Sequence, residues 1–262
     1  MHRLEIALAI AALLSLPRGA AAEIQTREVE YRHGETALQG LIAWDDATEG
    51  KRPGVLVVHE WWGHNRHACN QAQRLARAGY VGFALDMYGQ GKLATHPKDA
   101  QAFVAEVMRD PETIPARFNL ALELLKQDPR VDPDRIAAIG YCFGGSVVLG
   151  MARRGADLDA VISFHGALAT PQPAPAGQVR ARVLSLTGAD DPMIPPEQVE
   201  AFKQEMQAAG ADFEVVTYPG AKHSFTNPDA GTMGMDALAY DAEADRKSWA
   251  AMLELLREVF AG

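Results

Sequence analysis

One short segment constrains the fold of this chain more than any other feature. Residues 136–146 contain an apolar strand pattern, then Gly-Tyr-Cys-Phe-Gly-Gly, then the start of a helical pattern. Cys142 has Gly140 two positions before it and Gly144 two positions after it. In a nucleophile elbow, the sharp strand-to-helix turn strains the backbone of the nucleophile, and small residues at those positions prevent clashes. The segment therefore predicts an elbow with a sulfur nucleophile, with an ordinary glycine-rich connection as the alternative.

The helix that is predicted to follow Cys142 bears on the chemistry of the thiol. The first N–H groups of a helix favour negative charge, so they favour the thiolate form of Cys142. The Phe143 N–H is also expected to bind an oxyanion that develops during nucleophilic attack. The segment thus predicts a nucleophile and an oxyanion donor within one turn.

The rest of the chain alternates short apolar runs with longer segments of helical period. This alternation predicts an α/β fold with a mainly parallel central sheet and helices on both faces. The predicted strands are residues 26–31, 38–44, 55–59, 81–85, 136–140, 160–164, 183–187 and 213–218, the first two as an antiparallel start. The predicted helices are residues 67–78, 97–108, 111–127, 145–153, 196–209 and 238–259. The proline-rich stretch 169–177 predicts a loop rather than a linker, so residues 23–262 are expected to form a single domain.

Two more candidate catalytic residues follow predicted strands. Asp191 comes after the strand 183–187, and His223 comes after the strand 213–218. Parallel strands place their carboxyl ends at one edge of a sheet, where the sites of open α/β proteins form. The order Cys142, Asp191, His223 is also the order of nucleophile, acid and histidine in α/β-hydrolases. A catalytic triad is therefore predicted; alternatively, Asp191 is a turn residue and His223 a surface residue.

The N-terminal segment has the layout of a signal peptide. A positive charge in residues 1–3 precedes an uncharged apolar run over residues 6–16 and small residues at 20–22. The run has about half the length of a membrane-spanning helix. Cleavage before Glu23 and export to the periplasm or the medium are expected. The alternative is that residues 1–22 form an amphipathic helix of the mature protein.

The charge of the chain limits its partners. The formal net charge is −9, and a negative average field repels nucleic acids and anionic lipids. No nucleic-acid partner and no membrane span are therefore expected. The expected partner is a small-molecule substrate, and a monomer is favoured.

The two cysteines raise two alternatives of their own. A pair in an oxidising compartment suggests a disulfide, but Cys142 lies where a free thiol is needed and Cys69 lies in a helix-like stretch. A buried, inert Cys69 is therefore expected. A thiol redox protein that uses the two cysteines is the other alternative. The sequence argues against it, because the chain has no Cys-x-x-Cys motif.

His59 and His64 superficially resemble the histidine pair of a zinc-binding helix. A zincin has two histidines four positions apart on one helix face, whereas His59 and His64 are five apart with Gly63 between them. No metal and no cofactor are therefore expected. His165, at the end of the predicted strand 160–164, is expected to be structural rather than part of a pocket.

Five segments of the chain resemble those of one protein family. They are residues 58–63, 86–89, 140–145, 188–192 and 222–225. They make the chain, from about residue 54 onward, similar to the dienelactone hydrolase (carboxymethylenebutenolidase) family of the α/β-hydrolase superfamily. The resemblance implies cleavage of carboxylic esters or lactones through a Cys-His-Asp triad. A non-catalytic binding protein on the same fold is the remaining alternative.

The resemblance also implies roles for individual residues. By the resemblance, Cys142, Asp191 and His223 form the triad. Glu60 is the carboxylate that governs the thiol, and the N–H groups of Trp61 and Phe143 form the oxyanion hole. A carboxylate near a thiol disfavours the thiolate, so a neutral resting thiol that oxidises slowly is expected. The alternative for Glu60 is an ordinary salt bridge.

Two stretches of this sequence depart from the family pattern. Family members that hydrolyse dienelactone hold the substrate carboxylate with arginines after the Asp-x-Tyr segment and after the catalytic histidine. Residues 88–92 and 223–227 contain no arginine. Lys92 offers one charge, but a lysine cannot reproduce the bidentate fork of an arginine. Neutral esters or lactones are therefore the expected substrates, with apolar contacts from Trp61, Trp62, Tyr88 and Phe225.

Overall fold

The computed structural model describes residues 23–261 of the chain. The predicted signal peptide, residues 1–22, lies outside the described residues. The described part contains eight β-strands: β1 (Ile24–His33), β2 (Thr36–Asp45), β3 (Arg52–Val58), β4 (Val81–Leu85), β5 (Val131–Tyr141), β6 (Ala160–Phe164), β7 (Arg182–Gly188) and β8 (Phe213–Tyr218). It also contains six α-helices: α1 (Arg66–Arg77), α2 (Pro97–Met108), α3 (Thr113–Lys126), α4 (Phe143–Arg153), α5 (Pro196–Ala208) and α6 (Ala242–Phe260). A short 3-10 helix spans Ala230–Thr232.

The strands form one mainly parallel sheet of eight strands within the described residues. Their order is β1-β2-β4-β3-β5-β6-β7-β8. The pairs β1–β2 and β2–β4 are antiparallel, and all pairs from β4 to β8 are parallel. The predicted α/β fold and its antiparallel start are confirmed. All six parallel strands therefore end at the same edge of the sheet.

The core is divided between the two faces of the sheet. In β3, Leu56 and Val58 belong to a buried cluster with residues of α2, α3, α4 and α5, whereas Val55 and Val57 belong to a cluster with residues of α1 and α6. This alternation follows from the period of two in a strand. Because both faces are covered, the parallel strands are buried on both sides, which explains why they appear in the sequence as continuous apolar runs.

Strands β1, β2 and β7 extend the predicted ones by one or two residues at each end, and β3 and β5 differ more. The predicted strand 55–59 begins three residues earlier, at Arg52, and ends one residue earlier, at Val58. The predicted strand 136–140 begins earlier, at Val131. Its added residues pair with the start of β3, across a register shift that precedes Gly54.

The last helix begins later than predicted. The predicted helix 238–259 begins at Ala242, because the backbone before it is bonded elsewhere. The Ala239 N–H donates to the His223 carbonyl at 3.1 Å, and the Asp241 N–H donates to the Phe225 carbonyl at 3.0 Å. Neither α6 nor any other helix within residues 23–261 is long and apolar enough to cross a membrane.

Candidate active site

The carboxyl edge of the sheet gathers the residues that the sequence singled out. Most of them lie within five positions of the end of a parallel strand, including Glu60 and Trp61 after β3, Tyr88 after β4, Cys142 after β5, His165 after β6, Asp191 after β7 and His223 after β8. The parallel sheet therefore brings together side chains that are up to 163 positions apart, counting from Glu60 to His223 (223 − 60).

The backbone at Cys142 has the strained conformation of an elbow. Its φ is +53° and its ψ is −115°, a region that L-residues with a side chain rarely adopt. The Cys142 N–H is held by two acceptors, the Phe164 carbonyl at 3.0 Å and His165 Nδ1 at 3.1 Å. The turn thus ends β5 and begins α4 at Phe143, with the half-buried sulfur at the tip.

The glycines around Cys142 permit three close backbone approaches. A Cβ at Gly140 would lie 2.0 Å from the Gly144 carbonyl oxygen, and a Cβ at Gly144 would lie 2.3 Å from the Val58 oxygen. A Cβ at Gly145 would lie 2.6 Å from Ser163 Oγ. Steric contacts on both sides of the turn therefore require the glycines of the Gly-x-Cys-x-Gly-Gly sequence. Gly140 and Gly144 were expected from the elbow pattern, and Gly145 is a third.

His223 and Asp191 form a buried pair. His223 Nδ1 lies 2.8 Å from Asp191 Oδ2, and because a carboxylate only accepts, Nδ1 carries the proton. Asp191 Oδ1 also accepts the Met193 N–H at 2.8 Å, which fixes the carboxylate. His223 Nε2 is buried and has no hydrogen-bond partner among residues 23–261, so it remains available for proton transfer.

Burial and negative charge act on His223 in opposite directions. Burial disfavours the charged imidazolium, but a negative charge on Cys142 and the hydrogen bond to Asp191 outweigh it and raise the pKa of His223 to about 10. When the sulfur is ionised, His223 therefore holds its proton at neutral pH. This is the behaviour of a base that takes the proton of the thiol.

Glu60 is held by the loop that carries His223. Its Oε1 accepts the Ser224 hydroxyl at 2.7 Å, and its Oε2 accepts the Asn227 amide at 2.6 Å. Glu60 is 2% exposed, and neither oxygen is hydrogen-bonded to Cys142 among the described residues. The structure thus brings Glu60 to the His223 loop through Ser224 and Asn227, two residues for which the sequence analysis predicted no role.

The two predicted oxyanion donors are unpaired. The N–H groups of Trp61 and Phe143 have no acceptor within residues 23–261. Between them, the Gly144 N–H donates to the His59 carbonyl at 3.1 Å, and this bond joins the end of β3 to the start of α4. Unpaired N–H groups at a helix start favour negative charge nearby.

The predicted apolar contacts to substrate are mostly buried. Trp62 and Tyr88 are each 1% exposed and Phe225 is 0% exposed, whereas Trp61 is half-buried and packs edge-on against Trp62 at 5.1 Å. The Tyr88 hydroxyl has no hydrogen-bond partner among the described residues. Their contact with substrate stays a prediction.

The positive charge at residue 92 is neutralised. Lys92 Nζ lies 2.6 and 2.7 Å from the two carboxylate oxygens of Glu106. Glu60 and Asp191 are buried carboxylates at the same edge of the sheet, and neither forms a salt bridge with an arginine or lysine within residues 23–261. Lys92 therefore offers no unpaired positive charge to this edge of the sheet.

The side chains of His59 and His64 form hydrogen bonds with backbone groups. Nδ1 of His59 bonds the Glu60 carbonyl and its Nε2 accepts the Met87 N–H at 3.1 Å, while His64 Nε2 bonds the Ala84 carbonyl at 3.1 Å. Burial lowers the pKa of His59 to about 4. Among residues 23–261 no three or more His, Cys, Asp or Glu side chains are grouped so as to hold a metal ion.

The second cysteine lies near the start of α1, with its Sγ 3.8 Å from Nε2 of His64. Cys69 is in α1, and both Cys69 and Cys142 are free thiols. Burial raises the pKa of Cys69 to about 11, so its thiol stays protonated and poorly reactive at neutral pH.

Residues 38–260 match the model of the dienelactone hydrolase family. The chain belongs to the dienelactone hydrolase family. A Salmonella typhimurium protein named "Putative carboxymethylenebutenolidase" is 31% identical over 229 residues, which cover 83% of this chain and 81% of that protein. The resemblance inferred from the five sequence segments is therefore confirmed.

Solved structures agree with this membership. The structure of a dienelactone hydrolase-like promiscuous phosphotriesterase from metagenomic libraries is 38% identical, with a TM-score of 0.86 and coverage of 90% of this chain and 98% of that one. A thermophilic esterase from Thermogutta terrifontis is 19% identical, with a TM-score of 0.64 and coverage of 93% and 94%, a likeness that shows the fold alone. This dienelactone hydrolase family member is an enzyme that hydrolyses carboxylic esters or lactones, and its substrate is a small molecule.

Proposed function

We propose that the enzyme cleaves esters or lactones through an acyl-thioester on Cys142, with His223 as base and Asp191 as its partner. The observation that carries this proposal is the buried Asp191–His223 hydrogen bond of 2.8 Å. It leaves Nε2 of His223 unpaired and close enough to Cys142 to respond to its charge. A strained cysteine at the start of α4 supplies the nucleophile.

The proposed reaction has two halves. His223 Nε2 takes the thiol proton while the sulfur attacks the carbonyl carbon, and the Trp61 and Phe143 N–H groups bind the resulting oxyanion. The C–O bond then breaks, and the proton passes from His223 to the leaving alcohol. In the second half, His223 activates a water that cleaves the thioester, releasing the acid and restoring the thiol. Asp191 stabilises the imidazolium in both halves.

Glu60 is proposed to keep the resting thiol neutral. A buried carboxylate near the site opposes a second negative charge on the sulfur. The bonds from Ser224 and Asn227 support this proposal because both donors are neutral and leave the charge of Glu60 in place. Glu60→Gln is then expected to speed the alkylation of Cys142 by iodoacetamide in substrate-free enzyme.

Replacement of the nucleophile tests the acyl-thiol mechanism. Cys142→Ala is expected to lower ester turnover by at least about 10³-fold, because every other group acts through the sulfur. Cys69→Ala is the matched control and is expected to retain full turnover. The assay is nitrophenol release from an activated ester, and a folded Cys142→Ala enzyme that keeps most of its turnover would overturn the mechanism.

The partners of the nucleophile are expected to differ in importance. His223→Ala should be nearly as damaging as Cys142→Ala, while Asp191→Asn should retain about 10- to 100-fold more activity, since the orienting acid is the least damaging triad member to lose. A double variant of Cys142 and His223 should be no worse than either single variant. Losses that multiply would contradict a shared catalytic unit.

The charge of the site points to uncharged substrates. Lys92 is paired with Glu106, and Asn227 occupies the stretch where the family carries an arginine. Lys92 is therefore not free to bind a substrate carboxylate, and the buried Glu60 carboxylate disfavours a further negative charge nearby. We propose that neutral esters or lactones are preferred over anionic ones.

Specificity constants for a carboxylated lactone and its uncharged methyl ester test this preference. The ester should have the higher kcat/KM, and Lys92→Ala should change the ratio by less than about two-fold because the lysine charge is already neutralised. A preference for the carboxylate that weakens with salt or with Lys92→Ala would contradict the proposal.

A second candidate activity is the cleavage of uncharged phosphotriesters. It is favoured by the 38% identity, over 90% of this chain, to the structure described as a promiscuous phosphotriesterase. In this reaction the Cys142 sulfur attacks phosphorus, an aryl alcoholate leaves, and water cleaves the sulfur–phosphorus bond. Turnover of diethyl nitrophenyl phosphate that disappears in Cys142→Ala would support the activity, and its absence in the wild-type enzyme would exclude it.

We also propose that residues 1–22 direct export and are removed. The support is the order of charge, apolar run and small residues at the N-terminus. N-terminal sequencing of the mature protein should begin at or near Glu23, in the periplasm or the medium. A mature cytoplasmic chain that begins at Met1 would contradict export.

A further inference from the structure

His165 is a buried histidine that the proposed reaction does not use. It follows β6, is 0% exposed and has a φ of +42°. Left-handed backbone at a residue with a side chain is strained and persists only where the surroundings hold it. Such a position at the carboxyl edge of the sheet indicates a constraint beyond filling space.

Both ring nitrogens of His165 are hydrogen-bonded. Nδ1 lies 3.1 Å from the Cys142 nitrogen, and Nε2 lies 2.8 Å from Thr226 Oγ1. A backbone N–H only donates, so Nδ1 accepts and the ring proton resides on Nε2, from which it is donated to Thr226. Burial holds the pKa of His165 well below its usual range, which keeps this neutral tautomer.

The two bonds connect His165 to the nucleophile on one side and to the loop that carries the base on the other. Cys142 is the nucleophile itself, and Thr226 lies three positions after His223 in the loop that also bonds Glu60. The His165 ring also packs edge-on against the His223 ring, at 5.2 Å between centroids. One imidazole therefore touches the nucleophile's backbone, the base and the loop that carries the base.

We infer that His165 is a positioning residue, whose bonds to Cys142 N–H and Thr226 Oγ1 set the Cys142 sulfur opposite His223 Nε2. This inference rests on the proposed function of Cys142 and His223. Misplacement of reacting groups by about 1 Å can cost about 100-fold in rate. Loss of the ties should therefore lower kcat, while KM and folding change little.

Three variants separate the two ties. His165→Asn keeps an acceptor near the Nδ1 position and tolerates left-handed backbone, whereas His165→Leu removes both bonds and Thr226→Val removes only the second. We expect kcat to fall by about 10- to 100-fold in His165→Leu and by less in His165→Asn and Thr226→Val. His67→Leu is the matched control, because His67 is a buried histidine whose Nε2 has no partner among residues 23–261.

The measurements are kcat and KM for a neutral ester, the rate of Cys142 alkylation by iodoacetamide, and the thermal midpoint. Positioning predicts that kcat and alkylation change in the order given while the midpoint of His165→Asn and Thr226→Val stays near that of the wild type. Unchanged kcat in a folded His165→Leu, or in both milder variants if His165→Leu does not fold, overturns the inference. Activity that persists in Cys142→Ala would instead refute the proposed function.

Discussion

At the scale of single residues, Gly144 has no room for a side chain. A Cβ there would lie 2.3 Å from the Val58 oxygen and 2.7 Å from the His59 oxygen, both backbone atoms that cannot turn away. Gly144→Ala is therefore expected to cost about 1–3 kcal/mol of unfolding free energy by overpacking. It should also lower kcat, because the turn that carries Cys142 must shift.

Gly150 provides a matched control in the same helix. A Cβ at Gly150 meets no atom within 4 Å, and alanine is a better helix former than glycine by about 1 kcal/mol. Gly150→Ala should thus be neutral or stabilising, with unchanged kcat. Urea unfolding and ester hydrolysis measure both variants, and equal effects at the two glycines would contradict the steric argument.

At this scale, motif spacing singles out individual residues in the sequence, whereas their hydrogen-bond partners depend on the fold. The structure joins Asp191 to His223 by a hydrogen bond. It also bonds Glu60 to Ser224 and Asn227, which sequence reasoning missed because these contacts span 164 and 167 positions. No local pattern marks a hydrogen bond between distant loops, and only the order of the strands brings these loops together.

At the scale of elements, the start of α6 depends on one side chain. Asp241 Oδ1 accepts the N–H groups of Glu243 and Ala244, each at 2.9 Å. Asp241→Ala is expected to cost about 0.5–2 kcal/mol of unfolding free energy, and Asp241→Asn, which retains the cap, much less. Urea unfolding measures both, and equal losses would show that the cap does not stabilise the helix.

The strands were easier to predict than their ends. Strands β4, β6 and β8 have the predicted bounds, because each is a short apolar or β-branched run between helical segments. The N-terminal part of β5 contains Asp132, Pro133 and Asp134. This composition does not predict a strand, but the segment pairs with the start of β3. The 3-10 helix near residue 231 was also missed, since so short an element has no periodicity.

At the scale of the whole molecule, four histidines make the fold sensitive to acid. Burial lowers the pKa of His59 to about 4 and also lowers those of His64, His67 and His165. The unfolded chain binds protons at these sites below about pH 6.5, whereas the folded chain does not. Stability should therefore fall as the pH drops from 7 to 5, by about 2 kcal/mol at pH 5 for His59 alone.

Urea unfolding at pH 7 and pH 5 tests this dependence. His223 opposes the trend in part, because its raised pKa keeps it charged in the folded state while the unfolded chain gains the same proton below about pH 6.5, an opposing change of about 1 kcal/mol. His67→Leu should reduce the difference in unfolding free energy between pH 7 and pH 5, because one of the four buried histidines is then absent. Equal stability of the wild-type protein at both pH values would contradict the proton balance.

The proposed base, His223, follows a strand at the border of the sheet rather than one in its interior. β8 has a neighbouring strand on one side only, and most of its residues are half-buried or exposed, whereas Cys142 follows β5 in the interior. Local unfolding proceeds at lower free energy where buried contacts are few, so the amides of β8 should exchange with solvent sooner than those of β5. The proposed triad therefore spans two regions that are expected to differ in local stability. Fraying of one strand is expected to stop turnover while the rest of the molecule remains folded.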